Sequence, residues 1–541
     1  MRKKKKYFAA AVTMLASASF LAACSNSPTS SKNQVLHWSV SSELETMDPA
    51  LSVDSTSGVM LRNAYEGLYE YNSKGKVNPV LAQKTTVSKD GLTYTFKLRK
   101  DARWSNGDKV TAKDFVYAWK RAADPKTGSS NATYLASLKN GADVVAGKKD
   151  SSTLGVEAKD NYTLVAHLDH KVPYFKQLLC TYVYLPLNQK AVEKYGKKYG
   201  TAAKYTVSNG AFKMTEWTGS SSKWTFVKNK YYWGKKDVNL DKVTVLVTKS
   251  PSTAYNLYQT NKLDMVTLSS EQARSLKSNS DYVVREQARM DYLDLNKSNE
   301  LLANKNVRLA LGYALNRKQM VNKVLGNGSK TPYAAAPIDF SSYNGKEFAK
   351  DSFTGKSTTY NKKLAQKYWK KGLEELGKSG QNVSLALLGD DDDTTKALTE
   401  YIQSALQSTL PNLKVNVTNM PKTQRIARMK SGNFDVIYTS WGAAYADPNT
   451  YLSLFTSSSA YNFGKWDNSE YDALVNKANT TDASNPSKRW NDMVKAEKLL
   501  LDDGAVLPTL QPANATMLKS KVKGLEYTPV VGYNWKHASI K

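Results

Sequence analysis

From Thr93 to Leu98 apolar and polar side chains alternate, with Tyr94, Phe96 and Leu98 on one face and Thr95 and Lys97 on the other. A period of two predicts a strand with one buried face. The period then changes. Phe115, Ala118, Trp119 and Ala122 recur at helical spacing, which predicts an amphipathic helix. Thr111-Ala-Lys-Asp114 ahead of them is a capping signature, and Asp124-Pro125 ends the pattern. Val243–Thr248 reads as a short β-branched strand. A second helical stripe, Val307, Ala310, Leu311, Ala314 and Leu315, predicts one helix running to Leu325, with Gly326 beyond it as the stop.

The C-terminal half has a regular rhythm. Val383, Leu385 and Leu387 alternate as a strand, 394–406 reads as a helix, and Leu413, Val415 and Val417 form a strand. A helix over 424–430 and a strand over 434–441 follow. This β-α-β-α-β order predicts an α/β lobe with a largely parallel sheet. Ligands of such sheets sit at the carboxyl ends of the strands, so the segment after Trp441 is a candidate site. The acidic run Asp390–Asp393 lies between a strand and a helix start, where it suits helix capping and the helix dipole. An EF-hand spacing is absent from it.

The N-terminus changes the picture of where this chain works. Arg2–Lys6 is basic, and an apolar run follows from Tyr7 to about Ala23. The run is too short for a confident membrane span and reads as an export signal. It ends Leu21-Ala22-Ala23-Cys24, which resembles a bacterial lipobox, so residues 1–23 are expected to be a lipoprotein signal peptide and Cys24 the lipidated residue. An ordinary signal peptide with a chance cysteine is the alternative. Residues 24–33 are polar and read as a lipidated tether. Two acyl chains anchor a protein stably. No later stretch approaches 18 uninterrupted apolar residues.

Composition narrows the function. At 541 residues the chain exceeds one ordinary domain, and 41% hydrophobic residues exclude global disorder. Its two cysteines exclude a disulfide framework. Cys180, beside Phe175, Leu178, Leu179 and Tyr182, is expected to be a buried, inert thiol. The formal charge is +29. Residues 1–23 carry five positive charges and no negative ones, so their removal leaves +24. Lysines are scattered along the whole chain rather than clustered, which argues for a solvated surface near an anionic membrane or wall polymer and against nucleic acid.

Motifs for catalysis are missing. There is no P-loop; Gly326-Asn-Gly-Ser-Lys-Thr331 has the wrong spacing. There is no GxSxG elbow and no HExxH. His167 and His170 lie in a strand pattern with no third ligand in view. A glycosidase-type carboxylate pair stays open, but no carboxylate stands out. The expectation is a protein that is not an enzyme, with no cofactor and no metal.

Five segments, in order, carry a resemblance. They are Thr46-Met-Asp48-Pro49 with Tyr65-Glu-Gly67-Leu68; Tyr94 through Gly107 into Thr111–Trp119; Asn209-Gly210-Ala-Phe212 with Glu216-Trp217 and Lys228-Asn229-Lys-Tyr-Tyr-Trp233; Val307–Leu311 with Ala314-Leu-Asn-Arg317; and Phe434-Asp435-Val436 with Trp441 and Asp447-Pro448. Together they resemble the bacterial extracytoplasmic solute-binding proteins of the peptide/nickel family (family 5), and most closely the oligopeptide-binding proteins of ABC transporters. The resemblance implies an α/β, two-lobed periplasmic-binding-protein-like fold of the three-domain kind (type II, cluster C). Lobe I would combine 34–75, 203–297 and 512–541, with an inserted domain at 76–202. Lobe II would be 298–511.

In that family an extended peptide is enclosed between closing lobes and passed to an ABC importer. The resemblance implies a monomeric binding protein outside the cytoplasm; with the lipid anchor expected on Cys24, abundant Lys, Asn and Tyr suit a Gram-positive surface. Its partners would be an oligopeptide and permease subunits. A signalling-peptide receptor on the same fold, or a binder of a non-peptide solute, are the alternatives; scarce histidines near the cleft argue against nickel. The site positions implied are Val53, Asp54, Ser55, Asn131, Tyr438, Trp441, Gly442, Ala443, Ala444 and Tyr445, with Trp441 and Tyr445 as walls. Many relatives carry an Asp where Ala444 stands, pairing with the ligand's α-amino group, and Tyr438 aligns with a basic residue that meets the ligand's C-terminus. The expectation is therefore that free termini matter less here, and that longer or end-blocked peptides bind.

Overall fold

The structure, a computed structural model, describes residues 33–541. The leader at 1–23, Cys24 and nearly all of the tether at 24–33 lie outside the described residues. Among the described residues no helix is long and apolar enough to cross a membrane.

Strand Thr93–Leu98 forms, with Phe96 and Leu98 buried. It lies second in a four-stranded antiparallel sheet, between Ala82–Val87 and Thr163–His167, with Val156–Asp160 at the far edge. Helix Ala112–Ala123 covers this sheet with Phe115, Ala118, Trp119 and Ala122, all buried. The Asp114 carboxylate accepts from the Thr111 N–H at 2.7 Å, closing the helix start. The helix ends at Asp124, extended, just before Pro125.

A second four-stranded sheet runs Val35–Val40, Lys242–Val247, Lys223–Lys228, Phe212–Thr215. Its first pair is parallel and the others antiparallel. Register puts Leu36, Val243, Phe226 and Met214 in one row and Trp38, Val245 and Trp224 in the next; all seven are buried. Trp535, from the end of the chain, closes this face at 5.7 Å from Trp38 and 5.4 Å from Phe226. Beside it lies a three-stranded sheet of Met265–Thr267, Ala513–Leu518 and Tyr282–Glu286. These two sheets and the inserted antiparallel sheet make up the first lobe.

The second lobe is built on five strands in the order Leu413–Met420, Val383–Asp390, Val436–Gly442, Arg289–Leu295, Val506–Leu510. The first three are parallel, with helices Asp393–Thr409 and Lys422–Ser431 between them in sequence. The expected largely parallel sheet holds only for that half. Arg289–Leu295 and Val506–Leu510 bring the chain into the lobe and out of it, and each pair they make is antiparallel. Arg289–Leu295, which lies within the 203–297 segment, thus pairs inside the second sheet.

The single helix expected up to Leu325 is also corrected. Helix Lys305–Ala314 stops at Leu315, whose backbone is extended, and a new helix is capped by Asn316, whose side chain accepts from Gln319 N–H. The next turn, Met320–Leu325, is π-helical and ends at Gly326 with φ +64°, so the expected glycine stop holds. Asp392 accepts from Thr395 N–H at 3.0 Å to cap the helix after it, and Asp390 pairs with Arg425 at 2.7 Å. Capping thus explains part of the acidic run.

Several segments that carried the resemblance meet at one buried node of the first lobe. Asn209 exchanges two hydrogen bonds of 3.0 Å with the backbone of Glu66. A Cβ on Gly210 would lie 2.7 Å from the backbone of Ala64, so only glycine fits this approach. The Glu66 carboxylate accepts from Tyr232 and, at 2.8 Å, from Trp233. Lys536 reaches both Glu66 and Glu70, at 3.3 and 2.7 Å. Arg99 stacks over Trp233 at 3.0 Å. These motif residues join the inserted sheet to the rest of the lobe.

Candidate functional site

A cavity of about 560 Å³ lies between the lobes. The first lobe contributes the end of edge strand Val35–Val40, the start of helix Ser55–Ala64, and an aromatic wall of Trp38, Tyr527 and Tyr533. Tyr533 meets Trp38 edge-on at 4.7 Å and Tyr527 at 4.8 Å. The second lobe contributes Arg289, Gly442 and Ala443. The cavity sits at the carboxyl end of Val436–Gly442, where the topology placed a candidate site.

The expected positions divide into three groups. Ser55, Gly442 and Ala443 line the cavity. Asp54 and Asn131 hold its wall. Asp54 accepts from Ser57 N–H at 2.8 Å and caps the helix, while the Asn131 amide donates to the Ser52 carbonyl at 2.7 Å. Val53 between them is 64% exposed, a high exposure for an apolar side chain in a loop fixed at both ends.

Trp441, Ala444, Tyr445 and Tyr438 form the third group, set beside the cavity. None of the four lines the cavity. Trp441 packs on Tyr461 at 5.0 Å within the second lobe. Tyr445 is 6% exposed because Tyr174 of the inserted domain stacks on it at 4.7 Å, nearly coplanar. Burial pushes the Tyr445 hydroxyl well above its ordinary pKa. Ala444 packs against the first lobe's core beside it. Tyr438 is buried and donates to Asp291 Oδ2 at 2.9 Å.

The loop that follows ties the lobes together. Ala446 N–H donates to the Tyr71 hydroxyl at 3.1 Å, and Asn449 donates to the Tyr174 hydroxyl at 3.1 Å. Asp447 accepts two hydrogen bonds from Arg489, at 2.9 and 2.7 Å, which hold its carboxylate inside the second lobe. The same guanidinium lies 5.7 Å from the Tyr174 ring.

Sequence reasoning missed Arg289. Its Nε and Nη2 donate to Asp291 at 2.7 and 3.0 Å, and its side chain is 40% exposed against 4% for Asp291. Arg289-Met-Asp291 carries its charges two apart, on one face of a strand, and that spacing is the signal that was available. Lys249 also lines the cavity and pairs with Glu43 at 2.7 Å. No carboxylate lines it.

The remaining candidates are structural. His167 bonds Thr93 at 3.2 Å across the inserted sheet. Cys180 is half-buried rather than buried as expected, yet desolvation still pushes its thiol up to about 12, which suits an inert role. Among the described residues no group of three or more His, Cys, Asp or Glu side chains is placed to hold a metal ion.

Residues 76–463 match the family described as bacterial extracellular solute-binding proteins, family 5, middle. The chain is 36% identical to a dipeptide-binding protein of Lactococcus lactis subsp. cremoris, with 100% of each chain covered. Among solved structures it is similar to Listeria monocytogenes OppA bound to peptide, with 36% identity and a TM-score of 0.80, over 94% of this chain and 99% of that one. It is equally similar to the pheromone receptor PrgZ, with 38% identity and a TM-score of 0.80, over 94% and 100%. With the two lobes above, these matches give the two-lobed periplasmic-binding-protein-like α/β fold. The chain belongs to the family 5 bacterial extracellular solute-binding proteins, a family of substrate-binding proteins and not of enzymes.

Proposed function

We propose that this protein captures peptides between its two lobes and delivers them to an ABC importer, as a monomer held outside the cytoplasm by lipid on Cys24. The observation that carries the reading is the interlobe cavity. Its walls combine an edge strand of the first lobe with a strand end of the second. Such an edge can take an extended peptide by main-chain hydrogen bonds, which is how one site tolerates many sequences. The Lactococcus and Listeria relatives, a dipeptide-binding protein and an OppA with bound peptide, support the same ligand class.

No described Asp or Glu lines the cavity to meet a ligand's α-amino group, so blocked N-termini are tolerated on this reading. Mass spectrometry of the full-length protein, native and then denatured, tests the ligand class. A ladder of heterogeneous peptides supports nutrient capture. A bound sugar or haem overturns the peptide reading. Tight binding of free tri- and tetrapeptides, with none of their N-acetylated forms, overturns the tolerance of blocked ends. Similarity to the PrgZ pheromone receptor favours a second reading, peptide sensing, and release of one defined peptide would select it. For the anchor, Cys24→Ser is expected to release the protein into the medium.

A further inference from the structure

We propose that Arg289 reads a carboxylate on the captured ligand, so that the cavity selects peptides with an acidic group at the position facing it. This rests on the peptide reading above and specifies its substrate class. Arg289 lies opposite Gly442 in the ladder between the second lobe's two central strands, and both line the cavity. A Cβ built on Gly442 meets nothing within 4 Å, so the space on this side of the ladder is open.

The guanidinium is held in place before any ligand arrives. Asp291 fixes Nε and Nη2, and Asp291 is itself fixed by the Tyr438 hydroxyl at 2.9 Å. That leaves Nη1 without a hydrogen bond among the described residues. A fixed, ionised donor gains most from an ionised acceptor, and orienting it in advance removes an ordering cost from binding. Lys249 also lines the cavity, its charge balanced by Glu43 at 2.7 Å. The aromatic wall of Trp38, Tyr527 and Tyr533 lowers the local dielectric, which strengthens such a contact. Asp291 balances the charge of Arg289, so the site offers a directed hydrogen bond rather than a long-range field.

The acid could be the ligand's C-terminus or an Asp or Glu side chain, and the two are separable. Isothermal titration of the full-length protein in detergent would use hexapeptides of an Ala/Tyr background. Glu or Gln is placed at each position in turn, each as free acid and as C-terminal amide. The expected result is one position at which Glu binds about tenfold or more tightly than Gln, or a free acid that binds about tenfold more tightly than its amide. Arg289→Met leaves Asp291 buried without its cation and risks misfolding. The double variant Arg289→Met/Asp291→Asn avoids that, and its thermal midpoint verifies the fold. In it the preference is expected to fall below about threefold, while Arg289→Lys, which keeps the charge but loses the fork, is expected to fall between. Binding indifferent to carboxylates, or a preference that survives loss of Arg289, overturns this inference alone. Binding of no peptide in the panel overturns the peptide reading and this inference with it.

Discussion

Glu497 is fully buried on helix Pro486–Asp502. One carboxyl oxygen accepts from Ala335 N–H at 2.6 Å, and the other has no partner among the described residues. Burial pushes its pKa up to about 7, against the smaller, opposite effect of the Ala335 hydrogen bond. The folded state therefore holds a proton that the unfolded chain has already released above about pH 4.5. Stability falls as pH rises from there to about 7, then levels off. Glu497→Gln keeps an acceptor for Ala335 and removes the titration. It is expected to flatten this fall and to stabilise the protein at pH 8 by up to about 3 kcal/mol relative to wild type. Denaturant unfolding at pH 4.5 and pH 8 checks it; an unchanged pH slope would show that Glu497 is charged in the fold. Nothing in the sequence marks this residue. Glu497 sits in a helix with ordinary charged neighbours, and only packing against 334–336 takes it out of water.

At the scale of elements, the break after Ala314 depends on a residue that the sequence pattern included for another reason. Arg317 was part of the motif that carried the resemblance, and the apolar stripe around it predicts one continuous helix. In the fold Arg317 is 2% exposed. It donates to the carbonyls of Gly312 and Leu315 at the end of one helix, and to those of Ser357 and Pro508 from two distant segments. Among the described residues no carboxylate pairs with it. The side chain thus satisfies carbonyls that the broken helix leaves open. Arg317→Met is expected to cost at least about 3 kcal/mol, since it strands buried acceptors, with chemical denaturation as the measurement. A cost under about 1 kcal/mol would mean that the break is held by Asn316 capping alone. Periodicity could not show this, because an apolar stripe reports which face is buried and not whether the axis is continuous.

At the scale of the molecule, the two lobes meet through Tyr445 on Tyr174 and through the bonds from Ala446 and Asn449. An aromatic stack and one hydrogen bond are together worth about 2 kcal/mol. Loss of the Tyr174 ring is therefore expected to shift a closing equilibrium by on the order of tenfold or more. Tyr174→Ala should raise the radius of gyration in small-angle scattering and speed release of bound ligand, while Tyr174→Phe keeps the stack and should do much less. Equal scattering from wild type and Tyr174→Ala would show that this contact does not govern closure. Both tyrosines lie in segments without helical or strand periodicity, about 270 residues apart in sequence, so their meeting was not legible.

The sequence by itself determined the local elements and the scaffold. The strand at 93–98, the capped helix after it, the alternating strands and helices of 383–442 and the glycine stop at 326 follow from side-chain period and backbone preference, which are properties of neighbours along the chain. The segments that announced the family served the same end. Glu66, Asn209, Gly210 and Trp233 hold the first lobe together, and Asp447 is clasped by Arg489, so recognising them identified a fold more than a site. Tertiary structure alone decided the rest. It turned half of the second sheet antiparallel, stacked Tyr445 on Tyr174, and set Arg289 opposite Gly442 at the cavity. Strand register joins positions about 150 residues apart. No local pattern encodes it; it is chosen when both lobes bury their apolar faces together.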